Sequence, residues 1–355
     1  MGRLVSVGLI LALTLSAAAK RVLYVTHSAG FRHGSIEVSR RVMAQAAERS
    51  GKLEVVSTED LSMLEPERLR EFDVLFFFTS GELALTQAQR EGLLEFVRAG
   101  KGFGGAHSAT DTLYTWPEYG ELIGGYFDGH PWTQEVSIDV EDPDHPAARH
   151  LAPSFRILEE IYQFREFSRE RVRVLMTLDT RTADLKAQGV SRNDGDFALA
   201  WVREFGRGRV FYTALGHFDE TWLDARFQKM LEQTLLWLAG EAEGSAAVRK
   251  SAPVIGQVSA LGQAGDGMVM AGRYVVISGD GLTSGSTAVA AGSPVKLAGT
   301  QVLWNGEPGG LVLVSPRALV AEAPAGLDEN ITAEVIVVSG NVERSAPRTV
   351  LVRRE

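Results

Sequence analysis

Across residues 20–240, short apolar runs alternate with longer amphipathic stretches, the pattern of a parallel sheet joined by crossover helices. The runs at 21–26 and 53–56 read as strands. Residues 74–78 are apolar at every position, ending in Phe76, Phe77 and Phe78, as expected of a central strand covered on both faces. Between the first two strands, Ser35 can cap a helix that carries Val38, Val42 and Ala46 on one face and stops at Gly51. Thr86 and Gln89 have capping-box spacing and open a second helix, with Leu93, Leu94 and Val97 facing inward and Gly100 at its end. Residues 172–178, 197–202 and 210–215 are further strand candidates, and 222–238 reads as a closing helix with a Leu-rich face. The fold class expected for this part is α/β, a doubly wound, flavodoxin-like parallel sheet.

After residue 240 the pattern changes. Residues 241–252 hold Ala, Gly, Ser and charge without periodicity and read as a linker. From 253 to 355, short β-rich runs at even spacing are separated by Gly, Pro, Asn and Asp, which predicts a small all-β sandwich of immunoglobulin-like type. That part contains no His and offers no recognisable chemistry of its own.

Charge and ends narrow the range of partners. The 355 residues carry a formal net charge of -9, with no basic run longer than Arg353 and Arg354, which argues against nucleic acid or an anionic membrane as partner. Residues 1–19, with Arg3, an apolar stretch from Leu4 to Leu15 and then Ser16, Ala17, Ala18 and Ala19, read as a secretory signal too short to span a bilayer. The expectation is a periplasmic or extracellular protein released by cleavage near Lys20. The chain has no Cys, so neither a disulfide nor a thiol nucleophile is available to it.

All seven histidines lie in the first part, at 27, 33, 107, 130, 145, 150 and 217. His27, His33, His107 and His217 follow expected strands, and the carboxyl ends of parallel strands share one edge of a sheet, where residues remote in sequence meet. His107 stands out. The small-residue run 102–106 breaks at it as a strand does at a nucleophile elbow, with Ser108 and Asp111 immediately after. His130 sits beside Pro131 and Trp132, whose indole could offer a face to a ring-shaped ligand, while Glu159 and Glu160 could turn one carboxylate inward. His145 and His150 read as polar turn residues outside this group.

Residues 26–33, 104–112, 124–131, 160–162 and 208–217, five motifs in order, resemble the ThuA-like trehalose-utilisation family. That resemblance implies a class I glutamine amidotransferase-like fold in which His107 stands where amidotransferases carry their Cys, with His217 and Asp219 in the places of their His and carboxylate. Without the thiol, ammonia release from glutamine does not carry over. The resemblance further implies a role in carbohydrate use. In the second part, residues 276–282, 300–306 and 314–316 resemble an IPT/TIG-type immunoglobulin-like domain.

The chemistry expected is acid and base catalysis on a saccharide, as glycoside or 3-keto-glycoside, by His107 and His217 with Asp219 or Glu160 tuning an imidazole. His27, His33, Ser108, Asp111, His130 and Trp132 are the expected substrate contacts. A second version places a divalent metal, zinc or similar, among His33, His107, His130 and His217. The alternative from another class is a carbohydrate-binding protein without catalysis.

Overall fold

The computed structural model describes residues 18–353 apart from 193–194, 249–252, 264, 266, 284–286, 299, 329 and 340–342. The expected signal segment therefore lies almost wholly outside the described residues, as does the end of the expected linker. No helix among the described residues is long and apolar enough to cross a membrane.

The first domain begins with β1 (Lys20–Val25), α1 (Ile36–Ser50), β2 (Leu53–Thr58), α2 (Pro66–Leu69), β3 (Val74–Phe77), α3 (Gln87–Arg98) and β4 (Gly102–Ala106). The capping box of α3 forms in both directions, Thr86 with the Gln89 backbone and the Gln89 side chain with the Thr86 backbone. Helix α1 ends at Gly51, which adopts φ 62°. Its start differs from expectation. The Ser35 hydroxyl makes no capping bond and instead donates to the Gly216 carbonyl at 3.0 Å, tying the helix start to the His217 loop.

After α4 (Pro117–Ile123) come β5 (Tyr126–Phe127), β6 (Trp132–Val140), β7 (Ser154–Ile161), β8 (Phe164–Arg165), β9 (Arg173–Leu178), β10 (Ala198–Phe205) and β11 (Gly208–Thr213). Nine of these strands form one sheet in the order β2-β1-β3-β4-β11-β10-β9-β6-β7. Only the first five run parallel; every pairing from β11 onward is antiparallel. The expected all-parallel, doubly wound sheet is thus corrected to a mixed one. The extension comes from β6 and β7, whose exposed charged positions hide them from a search for apolar runs. The expected closing helix is also two pieces, α5 (Asp219–Leu223) and α6 (Ala225–Leu238), because Asp224 is extended and caps α6 through Arg226 N–H.

Strand β4 is small for a packing reason. A methyl group on Gly102 would come within 2.6 Å of the Leu238 carbonyl of α6, and one on Gly104 would overlap the Phe76 ring of β3. Bare backbone lets β3, β4 and α6 close up, and this fixes the point where β4 ends and His107 begins.

The second domain is all β: β12 (Val254–Ala260), β13 (Met268–Met270), β14 (Tyr274–Asp280), β15 (Ala288–Val289), β16 (Thr300–Trp304), β17 (Glu307–Val314), β18 (Ala318–Glu322), β19 (Thr332–Ser339), β20 (Glu343–Arg344) and β21 (Arg348–Arg353). The order β17-β16-β19-β21-β13-β12-β14-β18 closes on itself through the β17–β18 pairing, so the domain is a closed barrel around Trp304, Val258, Val302 and Leu319.

Candidate functional site

His107 is the first residue after β4 and starts a short 3-10 turn, His107–Thr110. Its φ of 47° lies in the left-handed region, which a residue with a side chain occupies at a cost of about 1–3 kcal/mol unless its surroundings hold it there. They do: the Tyr212 hydroxyl donates to the His107 carbonyl at 2.8 Å, and the ring is fully buried. The strand-to-turn elbow read from sequence is therefore built, with an imidazole at its apex.

The ring's orientation follows from its partners. His107 Nδ1 lies 2.7 Å from the Ala214 carbonyl oxygen, which can only accept, so Nδ1 carries the proton. Nε2 is left with its lone pair, and the Tyr162 hydroxyl donates to it at 2.8 Å. His217 Nδ1 is 3.2 Å from the same Nε2 and 2.9 Å from Glu160 Oε2, which in turn lies 3.5 Å from His107 Nε2. His33 completes the group, its ring centroid 4.7 Å from that of His107 and 5.2 Å from that of His217.

Each of these side chains comes from a different loop, and backbone contacts bind the loops together. Ala29 and Gly30 N–H both donate to the Ser80 carbonyl, and Ser80 Oγ donates to the Phe31 carbonyl, so the His33 loop is laced to the chain after β3. The His217 loop is held by Glu159. This carboxylate, fully buried on the core face of β7, accepts from Gly216 N–H at 2.9 Å, His217 N–H at 3.2 Å, Thr221 Oγ at 2.7 Å and Glu160 N–H at 3.0 Å. Adjacent acids on a strand point to opposite faces, so Glu159 anchors backbone while Glu160 meets the imidazoles.

The charges follow from this geometry. Burial pushes the Glu160 carboxyl up, but its contacts with the two imidazoles, chiefly the hydrogen bond and charge of His217, outweigh it and hold the group well below the usual carboxylate range. Burial likewise pushes His217 down, and Glu160 outweighs it, so His217 holds its proton above the ordinary pH. His33 goes the other way. Burial, reinforced by His107 and His217, lowers it to about 3, leaving a neutral ring at neutral pH. Burial keeps Tyr162 a phenol, well above its ordinary value.

The other expected residues divide. His130 stands at the rim, 44% exposed, with Nδ1 3.7 Å from Glu160 Oε1 and its ring parallel to Phe127. Ser108 is buried, its hydroxyl 3.5 Å from His33 Nδ1. Asp111 accepts from the Tyr114 hydroxyl at 2.6 Å, and burial raises it. His27 lies outside the cluster, with Nδ1 2.9 Å from the Glu59 carbonyl. Asp219 is exposed in the first turn of α5, and the carboxylate on His217 is Glu160. Trp132 needs correction as a ligand-facing wall: it is 3% exposed, donates to the Asp184 carbonyl and packs edge-on against Phe197. The exposed ring beside the cluster is Phe31, 63% accessible and 4.8 Å from His33. His145 and His150 lie apart from the cluster, against Trp237 and the Arg226 carbonyl respectively.

Two participants escaped the sequence reading, Tyr162 and Phe31, and which of Glu159 and Glu160 turns which way was left open. For Glu159 a signal existed, since it occupies the apolar-face position between Ile157 and Ile161. A recess of about 360 Å³ lined by Gly206, Arg207, Gly208 and Arg209 lies at the turn between β10 and β11, at the opposite edge of the sheet from the cluster.

The trehalose-utilisation family, ThuA, matches residues 21–238. Among solved structures, a ThuA-like protein from Parabacteroides merdae is 20% identical, with TM-score 0.53 over 64% of this chain and 93% of that one. A ThuA-like protein from Bacteroides uniformis is 23% identical, with TM-score 0.52 over 64% of this chain and 95% of that one. At these identities the likeness is one of fold. No curated protein matches the chain. The family match spans more than half of the sequence and takes in all the residues of the cluster, and the chain belongs to the ThuA family.

Proposed function

We propose that this protein is an exported, sugar-processing enzyme that moves protons on a glycoside or 3-keto-glycoside with the cluster at the carboxyl edge of the sheet. The observation that carries the reading is the meeting of His217 Nδ1, the Tyr162 hydroxyl and the Glu160 carboxylate at His107 Nε2. One imidazole is fixed with its lone pair turned to the Tyr162 hydroxyl, and its neighbour holds a proton against a carboxylate. A base and an acid thus stand side by side, the pairing that proton transfer to and from a sugar hydroxyl or a carbon next to a carbonyl needs.

In this mechanism His107 Nε2 takes a proton from the substrate, Tyr162 turns its hydroxyl to the oxygen on which charge develops, and His217 returns a proton. Glu160 keeps His217 charged in the resting state. Phe31 offers the apolar face of a sugar ring a surface at the rim, and His130 a hydrogen bond there. The barrel, read as an IPT/TIG-like module, serves binding or spacing. Family membership supports a carbohydrate substrate, and residues 1–19 support export.

Incubation of the full chain with a panel of glycosides and 3-keto-glycosides, followed by product analysis, tests the reading. Conversion of at least one member is expected. Binding across the panel without chemical change would replace the enzyme by a carbohydrate-binding protein.

A further inference from the structure

The three imidazoles sit closer together than acid and base chemistry alone requires. One ring nitrogen from each of His33, His107 and His217 lies within 4.8 Å of the other two. In a tetrahedral zinc site with bonds of about 2.0–2.1 Å, ligand nitrogens stand about 3.3 Å apart. The His107 to His217 separation of 3.2 Å already meets that spacing, so only His33 must draw in.

Three further features belong to such a site. His107 Nδ1 donates to the Ala214 carbonyl, which fixes the tautomer and presents Nε2 as a ligand atom. Glu160 Oε2 lies 2.9 Å from His217 Nδ1 and 3.5 Å from His107 Nε2, the same two nitrogens that face the ion, so its negative charge adjoins the cation position. His33 is buried, and its hydrogen bond to Ser108 is long at 3.5 Å, so it ties the ring only weakly to its present partner. His130, exposed and with Nδ1 3.7 Å from the far oxygen of Glu160, is outside the triangle.

We propose that His33, His107 and His217 bind one divalent cation of zinc type, leaving a fourth position for water or a substrate oxygen. Three imidazoles, with His217 giving up its proton as the ion enters, are a borderline donor set, suited to zinc and its neighbours rather than to calcium or magnesium. With the ion in place, His107 and His217 spend lone pairs as ligands, and Glu160 becomes the group that takes a proton from ion-bound water. The inference concerns the same residues as the sugar reading but does not depend on it.

The test uses the full chain, stripped with a chelator and titrated with zinc chloride by calorimetry, with cobalt(II) absorption as a second readout. Saturation at one ion per chain and tetrahedral cobalt bands are expected. H33A and H217A should each weaken zinc binding by more than about tenfold. H150A, at a histidine bonded to the Arg226 carbonyl away from the cluster, should bind as the parent does. Circular dichroism checks that the variants fold, and the parent's cobalt spectrum decides the matter should they not. Absence of saturable zinc binding in the parent, or parent-like binding by a folded H33A/H217A double variant, would overturn the proposal. A chain that binds zinc here yet leaves every saccharide unchanged upholds the ion and removes the sugar reading; one that converts a saccharide but binds no zinc does the reverse.

Discussion

Glu159→Gln isolates what holds the His217 loop. Four donors converge on the two oxygens of Glu159: Gly216 N–H and Thr221 Oγ on Oε2, His217 N–H and Glu160 N–H on Oε1. An amide has one accepting oxygen, so its NH₂ must face either Gly216 N–H or the pair from His217 and Glu160. At least one buried backbone donor is left unpaired, at about 1–3 kcal/mol, and the remaining bonds lose the strength that charge lends them. The Thr221 hydroxyl can rotate to accept from the amide and recover part of this. The net expectation is a loss of about 2–4 kcal/mol, or roughly 5–15 °C in the melting of the α/β domain. Calorimetric melting of the full chain measures it, with the barrel's transition as internal reference. Both transitions unmoved, to within about 0.5 kcal/mol, would refute the view that this carboxylate secures the loop.

Other expectations follow from particular contacts. Gly104→Ala should destabilise the α/β domain by about 1–3 kcal/mol, because its methyl group overlaps the Phe76 ring; a parent-like melting temperature would show that β3 and β4 are looser than described. His145 is buried against Trp237, and burial lowers it to about 4. Its folded value lies below the ordinary 6.5, so the unfolded chain binds more protons, and the stability it contributes is complete above pH 6.5 and lost as pH falls through 4. Replacing it with Gln should flatten the fall in urea midpoint between pH 7 and 4, and an unchanged slope would count against the shift. Phe31→Ala should raise KM for any converted saccharide several-fold with little change in kcat, because the ring's contribution is apolar contact at the rim; an unchanged KM would remove it from the binding surface.

How far the sequence could be read depended on whether local pattern or distant contact decided each feature. Apolar runs found β1, β3 and β9 to β11, since these strands bury most of their side chains, while the half-exposed edge strand β2 showed through Leu53, Val55 and Val56 and β4 through its small residues; the capping box of α3 is a local device that closed as written. Strands β6 and β7 were missed because their outward positions carry Thr133, Gln134, Glu135, Arg156 and Glu160, which break any run of apolar residues. The edge at which His33, His107 and His217 meet was legible from the strand-end rule. Their carboxylate was legible only in part: Glu160 and Asp219 were both candidates, and the choice between them lies in where β7 ends, a long-range matter. Trp132 looked like a wall because Pro131 precedes it, whereas its position on β6 turns the indole into the core.

Under the proposed function the cluster acts as one proton-exchanging centre. On any saccharide that the parent converts, kcat of Glu160→Gln and of His107→Ala, each confirmed folded by circular dichroism, tests that directly. A fall of about 10²–10⁴-fold in both variants is predicted. Either variant turning over at the parent rate would contradict it.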